Sequence, residues 1–463
     1  MPVSAIAQIR PSAAWREQLE PIVRHAGWFA FFLLLAPIIG PRGYGIFAMA
    51  LSGVAIIEAL LVEPVVAVLA GIERLDGKHL STALVSAVGV GAAISLLLFI
   101  AAGQLGAMLD DAPLGDIAQS LSLLPVLGAL GAVPTAVLRR RGKAGPFVAA
   151  TTAGLCAGGG VAVALAWADA GPWSLVAQIV VQRFVECGLV WGIAARRIGL
   201  AWSRPHFRTL LAALDLESLR RAWPVLSHQA PCLLIGLILG PIATGLYLLA
   251  ARFAEALGDV LLEAPRPARR ALLADWAREI GEPLRRVALP AILCSTLLPV
   301  ALPPLVDIRW WGAVAPAQIL LLGLIPAAAV TTRATVVAAR NEARWRAVQT
   351  IGGIAAAALA VPYGLTAIAS VALAWATGAG LAGLWPLRRE FGAHWQHSLF
   401  GTVRPLLAAA AAGLVLLPIV EPVALALTPV PALCLLAASG RLCYLLLCGE
   451  PALQPRLGPA KPA

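Results

Sequence analysis

Gly40-Pro41-Arg42-Gly43-Tyr44-Gly45-Ile46-Phe47-Ala48-Met49-Ala50 has a counterpart 200 residues further along, Gly240-Pro241-Ile242-Ala243-Thr244-Gly245-Leu246-Tyr247-Leu248-Leu249-Ala250. The common frame is Gly-Pro, three residues, Gly, an aliphatic, an aromatic, two residues, Ala. Downstream, Glu58-Ala59-Leu60-Leu61-Val62-Glu63-Pro64 answers Asp259-Val260-Leu261-Leu262-Glu263-Ala264-Pro265 with a one-residue slip. Two matches in one order and nearly one register define an internal repeat. Six apolar segments separate the copies, so both halves face the same way across a membrane. Such parallel repeats allow a substrate site between two bundles and alternating access by rocking.

Composition agrees with that reading. The chain has 463 residues, of which 60% are apolar and 13% charged. A soluble chain carries about 25% charge, so too little polar material is present to coat soluble domains. A bilayer core takes roughly 20 apolar residues per helix. Apolar segments fall near 24–40, 45–71, 81–108, 117–138, 146–168, 172–195, 223–241, 245–264, 286–306, 313–339, 347–362, 365–387, 402–420 and 423–447. The expected fold is all-α and polytopic. It has about 14 transmembrane helices, in two pseudo-symmetric six-helix bundles plus two C-terminal helices.

Charge orients the map. With the N-terminus inside, 29 of the 35 lysines and arginines fall on inner segments, two (Arg42 and Arg309) on outer loops, and four within spans. The positive-inside rule then puts both termini in the cytoplasm. The net charge of +11 thus reflects topology and implies no nucleic-acid partner. Residues 1–22 lack a separate apolar core and cleavage site, and are expected to be an amphipathic segment and not a signal peptide. Bundles are expected over 23–195 and 223–390, joined by a cytoplasmic linker at 196–222. Phe207, Leu210, Leu211 and Leu214 recur in that linker at helical spacing, as in an interfacial helix. Two additional helices over 391–448 and a disordered tail over 449–463 complete the chain.

Ionisable residues inside spans are costly and usually face a cavity or a partner. Arg252, Glu255, Asp259 and Glu263 fall at steps of three, four and four, one helix face running roughly 16 Å. Such a stripe is either a cavity wall or an Arg252–Glu255 pair with acids reaching the interface. Arg183 and Glu186 sit at i,i+3, as a substrate contact or as a self-neutralised pair. Arg333 has no acid within one turn, so it either bridges to an acid on another span or meets an anionic headgroup, which suits guanidinium because it stays charged and donates in a planar fork. The candidate headgroup set is Arg333, Arg252 and Arg183. Glu58, Glu63, Glu255 and Asp259 are candidates for ion coupling, since carboxyls withdrawn from water can carry a proton.

The seven cysteines form no CxxC pair and stand near no histidine cluster, so they read as buried small hydrophobes. No metal and no cofactor is expected. A Walker A pattern is absent, which argues against direct ATP drive. Gly158-Gly159-Gly160 suits close helix packing, and Trp310-Trp311 suits an interfacial belt.

Several stretches together resemble the polysaccharide exporters of the multidrug/oligosaccharidyl-lipid/polysaccharide (MOP) superfamily, the O-antigen and exopolysaccharide repeat-unit flippases. They are Gly40–Ala50; Leu127-Gly128-Ala129-Leu130-Gly131-Ala132-Val133-Pro134 leading into Leu138-Arg139-Arg140-Arg141; Gly171-Pro172-Trp173-Ser174-Leu175-Val176-Ala177-Gln178; and Leu233-Leu234-Ile235-Gly236 through Gly245-Leu246-Tyr247. In related exporters a polar or charged residue often precedes the Leu-Leu-Ile-Gly stretch and a basic one follows it. Here Pro231, Cys232 and Leu237 stand in that region, with His228 and Gln229 the nearest polar groups. The resemblance implies a polyprenyl-pyrophosphate-linked oligosaccharide moved across the bacterial inner membrane. It also implies membrane lipids as surroundings, and polysaccharide polymerase and export machinery as partners. The rival readings are a multidrug or organic-cation antiporter on the same fold, and an integral-membrane glycosyltransferase or ligase. The short outer loops disfavour the enzyme.

Overall fold

The computed structural model describes residues 11–72, 76–108, 111–140, 144–194, 198–214, 222–262, 276–328, 339–384, 395–426 and 429–448. Arg333, Glu263 and Pro265, the first ten residues of the N-terminal segment, and the expected tail over 449–463 lie outside them. The described elements are helical: α1 (Pro11–Gly71), α2 (Gly77–Met108), α3 (Ala112–Leu121), α4 (Leu124–Arg140), α5 (Ala144–Trp167), α6 (Trp173–Ala194), α7 (Arg204–Ala212), α8 (Ala222–Leu239), α9 (Pro241–Leu262), α10 (Trp276–Leu305), a 3-10 turn (Ile308–Ala313), α11 (Val314–Leu322), α12 (Ala339–Ala360), α13 (Leu365–Leu384), α14 (Trp395–Ala426) and α15 (Pro429–Cys448). Among the described residues, ten segments are long and apolar enough to cross a membrane. One of them, Ala26–Leu69, is 44 residues long and is broken by Gly40 into two arms. On α2, Leu96, Leu97, Phe99 and Ile100 lie exposed, as acyl-facing residues do. The protein is an all-α, multi-pass membrane protein.

The described residues fall into two compact units, one drawn from 1–263, 306–320 and 337–375, the other from 264–305, 321–336 and 376–463. In the first, both arms of α1 form a spine against which α3, α4, α5, α8 and α9 pack. In the second, α10 packs along α14 and α15, with Leu297, Leu416, Val420 and Leu436 at the contact.

The break in α1 follows from its sequence. Gly40 has φ +74°, a left-handed conformation that glycine adopts without steric cost. Pro41 has no N–H, so the carbonyl of Pro37 loses its helical donor. Arg309 supplies one through Nη2 at 2.7 Å, while its Nε holds Asp307 at 2.6 Å. That hydrogen bond keeps the exposed Asp307 carboxyl below the usual carboxylate range. Next to it the Trp310 indole donates to the carbonyl of Ala36 at 3.1 Å. Trp310 is completely buried between Phe32 and Tyr44. The belt expectation therefore fails for Trp310 and suits only Trp311, which is exposed. The two adjacent tryptophans thus sit in different environments, the first packed against the break in α1. Trp310→Phe keeps most of the ring volume and removes the donor, at an expected cost of about 1–3 kcal/mol. Thermal unfolding of the purified protein in detergent checks it.

The glycine repeat is visible as a contact. A Cβ on Gly45 would lie 1.6 Å from the carbonyl oxygen of Pro241, and one on Gly245 would lie 2.0 Å from that of Pro41. The glycine that ends the Gly-Pro-x-x-x-Gly frame in each copy therefore receives the other copy's helix start. Gly240 repeats the positive φ, at +85°. The same end of this unit gathers Asp111, which caps α3 through Leu114 N–H and pairs with Arg42 at 3.7 Å. At the far end of α1, Arg140 donates to the carbonyls of Leu69 and Ile72.

The cysteines depart in part from the sequence reading. Cys232 is buried, but Cys156, Cys294 and Cys434 are exposed on their helices.

Candidate functional site

Four helices of the first unit, α1, α4, α5 and α6, line a partly open cavity of about 190 Å³. The second arm of α1 contributes Glu58 and Glu63; α6 contributes Gln182, Arg183 and Glu186; α4 contributes Arg139. Small residues on the facing helices make room for these side chains. A Cβ on Gly128 of α4 would stand 2.6 Å from Glu58 Oε1, and one on Gly154 of α5 would stand 2.6 Å from Glu186 Cγ. A Cβ on Gly158 would meet the carbonyl of Gln178 at 2.3 Å, so this glycine sets the close approach of α5 and α6. The packing role expected for the glycine run is met at Gly158 and also at Gly159, which faces the Phe31 ring.

Charge is distributed in the cavity as no single helix could show. Arg183 Nη2 lies 3.3 Å from Glu58 Oε1, joining α6 to α1. The Gln182 amide donates to Glu186 Oε1 at 2.9 Å, and Arg183 lies in the field of Glu58, Glu186 and Glu63 together. Spacing along α6 suggests Arg183–Glu186, whereas the close partner comes from α1. Glu58 is buried and Arg183 is 41% exposed, so the arginine is the member that a ligand can reach. Arg139 lies over the Phe147 ring at 5.2 Å. Glu63 Oε2, Gln178 Nε2 and Gln182 Oε1 are shielded atoms without a protein hydrogen-bond partner. Buried polar groups seldom stay that way, so this region is suited to water or a polar ligand.

A second charged cluster joins α8 to α9. Arg252 Nη1 lies 2.9 Å from Glu255 Oε2, and His228 Nδ1 lies 2.9 Å from Glu255 Oε1. Asp259 follows Glu255 by one turn of α9. Beside His228, Gln229 accepts from the Ser52 hydroxyl at 2.9 Å, tying α8 to α1. Thus Arg252 and Glu255 meet His228, with Asp259 on the same face of α9, while Glu58, Glu63 and Arg183 share the cavity. The sequence reading noticed His228 only as a polar neighbour. A histidine on one helix and an acid 27 residues later on the next carry no periodic signal.

The polysaccharide biosynthesis protein family matches residues 34–267. That is half of the chain, and it contains the cavity acids, Arg183 and the whole α8–α9 cluster. The chain belongs to the polysaccharide biosynthesis protein family. No curated relative matches it. Among solved structures, this family member is similar to the lipid II flippase MurJ in an inward closed conformation, with TM-score 0.64, 11% identity, and coverage of 94% of this chain and 97% of MurJ. It is also similar to a MATE transporter in complex with MaL6, with TM-score 0.54, 14% identity, and coverage of 81% and 95%. A MOP superfamily transporter from Pyrococcus furiosus, described by a binding pocket of reverse polarity, matches with TM-score 0.52, 14% identity, and the same coverage. At such identities these likenesses show the fold alone. The polysaccharide biosynthesis family member therefore shares its fold with MurJ and these transporters, and the resemblance to polysaccharide-biosynthesis proteins read from its sequence holds.

Proposed function

We propose that this protein is a flippase and not an enzyme. It moves polyprenyl-pyrophosphate-linked oligosaccharide repeat units from the inner to the outer leaflet of the bacterial inner membrane, for exopolysaccharide or lipopolysaccharide assembly. Both termini are cytoplasmic in this reading. The carrying observation is the polar cavity among spanning helices, with the Arg183–Glu58 pair at its wall, in the stretch that the polysaccharide family matches. Pyrophosphate and sugar cannot cross hydrocarbon unaided, because stripping water from charges and hydroxyls is very costly. A charged, polar-walled cavity lowers that barrier, and the polyprenyl tail stays in lipid.

In this mechanism the bundles over 23–195 and 223–390 rock about the repeat contact. Arg183 leaves Glu58 for the pyrophosphate, Arg252 and Arg333 offer further cationic contacts, and charge balance then requires a proton or cation at Glu58. Glu63, Glu255 and Asp259 extend that coupling path. A polysaccharide polymerase and export machinery would take the flipped unit.

The acid excess in the cavity favours a second reading. Glu58, Glu63 and Glu186 face Arg183 and Arg139 there, a balance that suits an organic cation exchanged for protons. Reconstitution in proteoliposomes separates the two. A flippase exposes a fluorescent lipid-linked oligosaccharide to the opposite leaflet and leaves a fluorescent organic cation untransported. Proton-driven uptake of the cation, without lipid flipping, would establish the antiporter and overturn the flippase.

A further inference from the structure

Asp76, His79 and His206 bring one carboxylate oxygen and two ring nitrogens within 4.8 Å of one another. Asp76 directly precedes α2, and its carbonyl accepts from the N–H groups of His79 at 3.0 Å and Leu80 at 3.3 Å. Its own side chain and that of His79, three residues on, therefore share one face of the opening turn. His206 arrives on α7, 127 residues later. The approach is fixed by hydrogen bonds along α2: Gly199 N–H donates to Ser81 Oγ, the Trp202 indole to Ser86 Oγ, and Ser203 N–H to Thr82 Oγ1. The two imidazoles meet edge to face, with centroids 4.4 Å apart.

Each ring carries a feature that points to an ion. His206 Nδ1 is 2.7 Å from Ser203 Oγ. In the tautomer that donates from Nδ1, Nε2 is left with its lone pair, the outer-shell arrangement that orients metal-ligating histidines. His79 Nδ1 is withdrawn from solvent and has no protein hydrogen-bond partner, a buried polar atom in need of one.

We propose that Asp76, His79 and His206 bind a first-row divalent metal ion, with Zn²⁺ the best match. Two imidazoles and one carboxylate suit a tetrahedral zinc that keeps a water or another ligand in its fourth position. The bound ion fastens α7 to the opening turn of α2 and so fixes residues 198–214 against that helix. Sequence spacing hides the site, since Asp76-x-x-His79 alone supplies two ligands and the third is far along the chain. The site is independent of what the protein transports.

Calorimetric titration of the untagged, chelator-stripped full chain in detergent with ZnCl2 tests the assignment. One equivalent should bind, and amide hydrogen exchange over 199–212 should slow when it does. His79→Ala and His206→Ala should lose that equivalent, and Ser203→Ala should bind about tenfold more weakly because the ring loses its orienting partner. A stripped wild-type protein that takes up no zinc overturns the proposal, even if the variants fail to fold. So does zinc uptake that leaves exchange over 199–212 unchanged, because the ion would then sit elsewhere.

Discussion

Arg183→Ala should abolish polysaccharide export, with lipid flipping in proteoliposomes lowered at least tenfold, and it should also weaken the fold. The stability loss has a definite origin. Glu58 is buried, and removing its partner leaves a charge without compensation, which is the expensive way to break such a pair. The exposure of Arg183 admits water to the gap and screens it, so the expected penalty is about 1–3 kcal/mol. Adding Glu58→Gln to Arg183→Ala removes the stranded charge and should restore most of that stability. Under the proposed headgroup role transport should stay lost, because the cation is still missing. A double variant that regains export would overturn the headgroup role, and a single variant as stable as wild type would overturn the pairing. The pH dependence has a definite sign. If Glu58 takes up a proton when the headgroup claims Arg183, headgroup binding consumes protons and tightens as pH falls. Glu58→Gln should flatten that slope. Binding of a pyrophosphate-headed lipid measured across pH decides it, and an unchanged slope in the variant would remove Glu58 from coupling.

Much of this architecture was legible in the chain because a bilayer imposes one-dimensional rules. A span needs a certain apolar length, loops sort by charge, and a Gly-Pro pair interrupts a helix wherever it stands. For that reason the break at Gly40, its echo at Gly240 and the all-helical fold follow from the letters. Charge partners were legible only inside one helix. Arg252–Glu255 lies at i,i+3 and forms as that spacing suggests. Arg183 has an equally spaced acid in Glu186, yet its close contact is Glu58, 125 residues away and admitted by the missing side chain of Gly128. Trp310 carries the same lesson. An apolar, interfacial context reads as belt, but the burial of this indole beside the break in α1 and its bond to the Ala36 carbonyl come from three-dimensional proximity alone. Residues whose roles are set by periodicity can be read in advance, whereas those that answer a defect in a distant element cannot.

Gly45→Ala and Gly245→Ala should each cost about 3 kcal/mol, at the upper end of what overpacking by a small group usually does. The new methyl group would meet a backbone carbonyl and not a side chain that could turn aside. To reach ordinary contact, α1 and α9 must part by more than an ångström at the crossing, and the burial of Thr244, Leu249 and Ala250 on α9 opposes that movement. Gly53→Ala is the matched control. Its Cβ would meet nothing within 4 Å, and exchanging Gly for Ala in a helix should stabilise it by up to about 1 kcal/mol. Folded yield on size exclusion and thermal unfolding in detergent would read all three variants. The reciprocity of the crossing adds a stricter expectation. Each glycine answers the other copy's proline carbonyl across one contact, so separating the helices for the first methyl group also makes room for the second. The double variant Gly45→Ala/Gly245→Ala should therefore cost clearly less than the two single costs combined, a coupling between touching sites that independent positions do not show. Strict additivity would mean that the two Gly-Pro copies act as separate turns, and the shared pivot on which the rocking mechanism depends would be lost with them.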